Sequence, residues 1–188
     1  MRTVAAFIMV SLDGFFEGPD HGLDWHHVGE EFNAFAITQL DAADTLVFGR
    51  VTYELMAGYW PTDEGLADDA EVATRMNEKP KLVATTTLTD PAWHNTRVMR
   101  DPVVELGRLR RGRGGDILVL GSARLTTSLA VAGVLDELRL MVNPVALGRG
   151  RAIFDSIDRS LPMRLLAVRR FESGNVLLTW RPEPDGAA

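Results

Sequence analysis

Apolar residues run without interruption from Val4 to Val10 and return in two shorter runs, Leu46-Val47-Phe48 and Ile117-Leu118-Val119-Leu120. Short runs with no polar alternation suit strands covered on both faces, as in a parallel sheet. Between them the period changes. Phe32, Phe35, Ala36 and Leu40 recur at helical spacing within residues 30–42, and Val51, Leu55, Met56 and Tyr59 do so after Gly49. Pro61 ends that second helix, and an acidic stretch over residues 63–71 leads into a further helix ending near Asn77. Residues 81–85 and 97–99 read as short strands. Pro102 suits the first turn of a helix that reaches about Arg111 and stops in the glycines of residues 112–115. Gly121-Ser122 opens a helix through Leu125, Leu129 and Ala132, and residues 136–142 form the next strand. Residues 12–28, with Gly14, Gly18, Pro19 and Gly22, read as a long loop.

The end of the chain has a different pattern. Residues 165–171 and 176–181 flank Ser173-Gly174-Asn175, a hairpin signal. Strand–helix alternation closed by a hairpin predicts an α/β fold, its central sheet mostly parallel with an antiparallel C-terminal hairpin at the edge. The 188 residues fit one domain. It is expected over residues 1–181, with 182–188 as a disordered tail.

Composition narrows the chemistry. The chain has no cysteine, which excludes disulfides, thiolate metal sites, iron–sulfur clusters and a thiol nucleophile, and suits a cytoplasmic protein. A net charge of -6 argues against a nucleic-acid partner. The one basic cluster, Arg108, Arg110, Arg111 and Arg113, reads as the solvated end of a helix. No apolar run approaches the roughly 20 residues of a membrane span, and the first run is too short for a secretory signal. His26 and His27 are adjacent and would point apart on a regular element, and His21 and His94 lack helical partners, so no metal is expected. No Gly-x-Ser-x-Gly elbow occurs.

Two strand-to-helix turns carry candidate binding chemistry. In Phe48-Gly49-Arg50-Val51-Thr52 a helix starts directly after a buried strand. Its first amide N–H groups lack partners and sit at the positive end of the dipole. Gly49 lets an anion approach the backbone, Arg50 adds a fork of charged donors and Thr52 a hydroxyl. The alternative is a tight turn followed by a surface arginine. Gly121-Ser122-Ala123 repeats the arrangement after residues 117–120, where taken alone Ser122 reads first as a plain N-cap. Two such turns in one domain suit a ligand with more than one phosphate at the carboxyl ends of strands. Neither a Gly-x-Gly-x-x-Gly fingerprint nor a Walker lysine motif is present, so a dinucleotide would need another architecture.

These residues resemble a known family. Ser11-Leu12-Asp13-Gly14, then Leu46-Val47-Phe48-Gly49-Arg50-Val51-Thr52-Tyr53-Glu54, then Leu135-Asp136-Glu137-Leu138 with Pro144 and Leu147-Gly148-Arg149-Gly150 are similar, in order and spacing, to the riboflavin-biosynthesis reductase C-terminal domain family of the dihydrofolate-reductase-like superfamily. The resemblance spans residues 4 to about 181. It implies a stand-alone member with a three-layer dihydrofolate-reductase-like fold. Gly49, Arg50, Thr52, Thr85, Thr86, Thr87, Gly121, Ser122 and Ala123 would hold NADPH, with Arg50 facing the 2′-phosphate. Many relatives have a basic residue in place of Thr86 and a second glycine in place of Ser122. The resemblance also implies a homodimer. The zinc deaminase domain of the bifunctional riboflavin enzymes has no counterpart here.

The chemistry expected is hydride transfer to a small, heterocyclic substrate such as a pyrimidine or pterin. Asp13 is a candidate for orienting it, against a reading as a turn aspartate before Gly14. Glu30 is a second carboxylate candidate, against a helix-start glutamate favoured by the dipole. Trp25 is a candidate wall of the substrate pocket, and residues 15–28 a candidate lid that excludes water. A non-catalytic nucleotide-binding module of this fold and a flavin-handling reductase are the competing readings.

Overall fold

The computed structural model describes residues 1–183. β1 (Val4–Val10), β3 (Ala43–Gly49), β4 (Lys81–Ala84), β5 (Thr96–Met99), β6 (Asp116–Leu120), β7 (Glu137–Val142), β9 (Met163–Arg170) and β10 (Val176–Pro182) form one sheet in the order β5-β4-β3-β6-β1-β7-β10-β9. All neighbours from β5 to β7 are parallel, and β10 pairs antiparallel with both β7 and β9. This is the predicted mostly parallel sheet with an antiparallel edge.

Every residue of β1 is buried, because successive side chains enter two different cores. Val4, Ala6, Ile8 and Val10 pack with α5 (Pro102–Leu109) and α6 (Ala123–Val131) through Leu106, Leu125 and Leu129. Ala5, Phe7 and Met9 face the opposite layer, with Phe35 and Leu40 of α1 (Glu30–Ala42), Tyr53 of α2 (Arg50–Ala57) and Val72 and Met76 of α4 (Ala70–Glu78). Helices on both faces give the three layers.

The acidic stretch forms two helices rather than a lead-in to one. Thr62 caps α3 (Asp63–Asp68), and Asp69, with extended backbone, starts α4 by accepting from Glu71 and Val72. No helix joins the parallel strands β4 and β5. Trp93 fills that crossover, its backbone N–H donating to the Tyr53 hydroxyl at 2.9 Å and its indole to Asn77 at 2.8 Å. Lys81, 1% exposed, caps the end of α4, donating to the carbonyls of Met76, Asn77 and Lys79 beneath the Trp93 ring. Burial pulls its pKa down to about 8.

The amino-terminal ends of the strands are tied by ions. Arg2 bonds to Asp44 and Thr45, and its Nε donates to Gly115 O at 2.9 Å. Asp136 accepts from the Val4 N–H at 2.9 Å and from Arg110. Arg110, expected on a solvated helix end, is therefore an internal fastener.

Two features depart from the sequence pattern. Within the expected loop of residues 12–28, β2 (Phe15–Glu17) pairs with β8 (Arg151–Ala152) in a separate small sheet. The hairpin is also longer than expected: Pro182 pairs with Met163, and the Glu183 N–H donates to Pro162 O at 2.8 Å. The first two residues assigned to the tail thus close the sheet edge, and residues 184–188 lie outside the described part. Among the described residues no helix is long and apolar enough to cross a membrane.

Candidate active-site cleft

β3 and β6 are neighbours in the sheet, so the two turns that follow them meet at its carboxyl edge. They touch directly. A Cβ on Gly49 would lie 2.2 Å from the Ser122 hydroxyl, and one on Gly121 would lie 3.1 Å from the Thr52 methyl. Neither α2 nor α6 receives a side-chain cap at its first turn. Ser122 does occupy the N-cap position, but its hydroxyl does not cap, so the plain N-cap alternative is not what the residue does. Its backbone is left-handed, φ 58° and ψ 79°, beside Gly121 at φ 62°. For a serine that geometry costs about 1 kcal/mol. Ser122 holds this backbone in spite of its Cβ.

The end of β4 adds a third turn. The Thr85 hydroxyl accepts from the N–H groups of Thr87 and Leu88 at 3.2 and 3.1 Å, so Thr85 shapes the turn while Thr86 and Thr87 are exposed. Arg100 donates to the Thr85 carbonyl at 2.8 Å. Gly49, Arg50, Thr52, Thr85, Thr86, Thr87, Gly121, Ser122 and Ala123 all line one cleft of about 1540 Å³. The same wall carries two cations the sequence reading missed, Arg100 and Arg124. Arg50 is held along α2 by a forked pair with Glu54 at 2.7 and 2.8 Å, both side chains about half exposed.

The expected catalytic residues are elsewhere. Asp13 does not line the cleft. Its carboxylate accepts from the Ser11 hydroxyl at 2.6 Å and from the N–H groups of Leu147 and Gly148 at 3.1 and 2.7 Å, fastening the first loop to the segment after β7. The Ser11 bond, then those of Gly148 and Leu147, hold its pKa down at about 2. Glu30 is exposed on the first turn of α1 and is also absent from the lining, as a helix-start glutamate would be. The Trp25 indole donates to Gly22 O at 3.1 Å and its ring stands against His26, so it folds its own loop rather than walling the pocket.

That loop is pinned as well as folded. Buried Asn143 accepts from the His27 N–H at 2.9 Å, and buried Asn175 donates to the His27 carbonyl at 2.8 Å. The loop segment that faces the cleft presents His26. Burial lowers its pKa to about 4, opposed by Asp24, so the ring is neutral at physiological pH. Its Nε2 is buried with no hydrogen-bond partner. The far wall is one face of α1, with Phe32, Ala36, Gln39 and Leu40, opposite Leu55 and Met56 of α2.

Comparison with known proteins agrees with this architecture. The chain is 28% identical over 181 residues to the uncharacterized protein YyaP of Bacillus subtilis (strain 168), covering 95% of this chain and 94% of that one. It superposes with TM-score 0.66 and 15% identity on a diaminohydroxyphosphoribosylaminopyrimidine deaminase/5-amino-6-(5-phosphoribosylamino)uracil reductase from Thermotoga maritima, over 97% of this chain and 57% of that chain. With dihydrofolate reductase from Enterococcus faecalis complexed with NADP(H), the TM-score is 0.63 at 18% identity, over 96% of both chains. The fold is therefore dihydrofolate-reductase-like. The RibD C-terminal domain family matches residues 2–177, and the chain belongs to that family.

Proposed function

We propose that the protein is an NADPH-dependent reductase that delivers hydride to a small heterocyclic substrate. One observation carries this reading: two uncapped helix N-termini open into one cleft and touch through Gly49 and Ser122. Two adjacent sets of free amide donors match the paired phosphates of a dinucleotide. The nearby Thr86 and Thr87 hydroxyls and the guanidinium groups of Arg50 and Arg100 suit the adenosine 2′-phosphate, which NADPH has and NADH lacks. The dihydrofolate reductase that shares the fold is a complex with NADP(H), which supports the same choice.

Bound NADPH supplies the hydride. The chain's own groups bind, orient and exclude water. Arg50 would hold a cofactor phosphate by leaving Glu54, a half-exposed pair that costs little to break. His26 stays neutral above pH about 4 and offers a hydrogen bond from a buried ring nitrogen. The Asn143 and Asn175 clamps hold the loop that carries it. Cytoplasmic location and a homodimer belong to the same reading, the second checked by light scattering on the purified protein.

Fluorescence titration tests the cofactor. Wild type is expected to bind NADPH in preference to NADH. Arg50→Ala is expected to lose roughly ten- to a hundredfold in NADPH affinity, the worth of a charged hydrogen bond, and little for NADH. Binding of neither nucleotide below millimolar concentration would refute the reading. A non-catalytic nucleotide-binding module is favoured by one fact, the absence of Asp13 and Glu30 from the lining. NADPH consumption across a panel of heterocycles separates the two.

A further inference from the structure

The cleft has two unlike arms. Four arginines line it: Arg50, Arg100, Arg124 and Arg151, with no lysine. Three of them stand at the strand-to-helix turns that follow β3, β5 and β6. The fourth, Arg151, is neutralised by Glu17 at 2.8 Å and lies over the Phe16 ring. The arm between α1, α2 and α4 therefore has no unpaired cation among its described residues. Its walls are apolar: Phe32, Leu40, Leu55, Met56, Val72 and Met76. Its charged residues are the acids Asp68 and Asp69, beside Tyr59, whose hydroxyl donates to Asp68 at 2.8 Å.

One polar group inside this arm lacks a partner. Gln39 is 5% exposed, lies on the cleft face of α1, and its Oε1 is buried with no hydrogen bond. An unpaired buried acceptor costs roughly 1–3 kcal/mol unless a ligand satisfies it. A carbonyl oxygen accepts only, so the group that satisfies it must donate: an N–H, an O–H or an ammonium. A phosphate fits neither this acceptor nor the acidic end, and burying its two charges without a cation is expensive.

We propose that this arm takes an unphosphorylated substrate, apolar along its length, that donates a hydrogen bond to Gln39, and that it discriminates against sugar-phosphate arms such as the one named for the Thermotoga maritima reductase. The inference rests on the reductase reading for its choice of arm, since the arginine-bearing arm is given to the cofactor.

The test is a competition assay on the full-length protein, run with and without NADPH. N-phenyl-1-naphthylamine, a neutral apolar fluorophore, reports occupancy of the arm. It is displaced by 2,4-diaminopyrimidines bearing either a phenylpropyl arm or a phosphate-ended arm of the same length. The neutral compound is expected to compete at least tenfold better. Gln39→Leu is expected to weaken the diaminopyrimidine at least fivefold while leaving the fluorophore, which lacks a strong donor, within twofold. Asp68→Lys is expected to narrow the tenfold gap at least threefold. Equal or tighter binding of the phosphate-ended compound overturns the proposal, as does an unchanged diaminopyrimidine affinity in Gln39→Leu. Preference for the neutral arm in a protein that binds no NADPH upholds this inference and overturns the reductase reading, so the two fail separately.

Discussion

The two ends of the parallel strands are built on opposite terms. At the amino-terminal ends, Arg2 with Asp44 and Arg110 with Asp136 bind the sheet to its connections, and Asp136 also takes the Val4 N–H. At the carboxyl ends, α2 and α6 begin without side-chain caps, Ser122 holds a left-handed backbone, and His26 buries a ring nitrogen that nothing satisfies. One end commits its ion pairs to the fold, although the Arg110 Nε and the Thr96 hydroxyl there are buried without partners. The other leaves two helix starts without side-chain caps and one ring nitrogen without a partner. The uncapped helix starts and the left-handed Ser122 coincide with the cleft, where departures from local folding rules suit binding.

Substitutions at each end should separate these roles. The largest effect is expected from Asp136→Ala, which strands a half-buried arginine and a strand N–H; a loss of ~3 kcal/mol in urea unfolding, with nucleotide affinity unchanged, fits the contrast. Gly49→Ala comes next. Its methyl would meet the Ser122 hydroxyl at 2.2 Å, so a cost of about 1–3 kcal/mol is expected together with weaker nucleotide binding. Adding Ser122→Gly should return most of the lost stability, and a calorimetric double-mutant cycle with no coupling would break the claim that the turns touch. Ser122→Gly alone should stabilise slightly, by about 0.5 kcal/mol, as relief of the left-handed strain outweighs the added chain entropy.

A pH dependence sharpens the contrast further. His26 has a folded pKa of about 4, below the unfolded value of 6.5. The unfolded chain therefore binds more protons between these values. Stability is full above pH 6.5 and falls as pH drops toward 4. Stability of His26→Gln, followed from pH 7 to 4, should decline less steeply than wild type. Identical slopes would mean that the ring is not buried as described.

The two strand-to-helix turns were legible in the sequence because they are local: an apolar run, a glycine and a helix start lie within a few residues of each other. The substrate side was not legible, because orientation there depends on distant partners. Asp13 is claimed by N–H groups 134 and 135 residues away. β2 was hidden inside a glycine-rich loop because its partner is β8. Arg100 reaches the cleft only because β4 and β5 pair in parallel, which brings it to the Thr85 carbonyl. Gln39 lies outside the apolar spacing of its helix, and only its burial against the cleft sets it apart. Trp25 and Glu30, a candidate wall and a candidate carboxylate, lie outside the cleft lining, since loop contacts to Gly22, Asn143 and Asn175 decide where that segment points.

Amide hydrogen exchange with and without saturating NADPH tests the central claim most directly. The account predicts new protection concentrated in two separate peptides, one over residues 49–53 and one over residues 121–126, with little change around Arg2, Asp44 and Asp136. Protection absent from both peptides, or confined to only one of them, would contradict a dinucleotide site built from two helix starts.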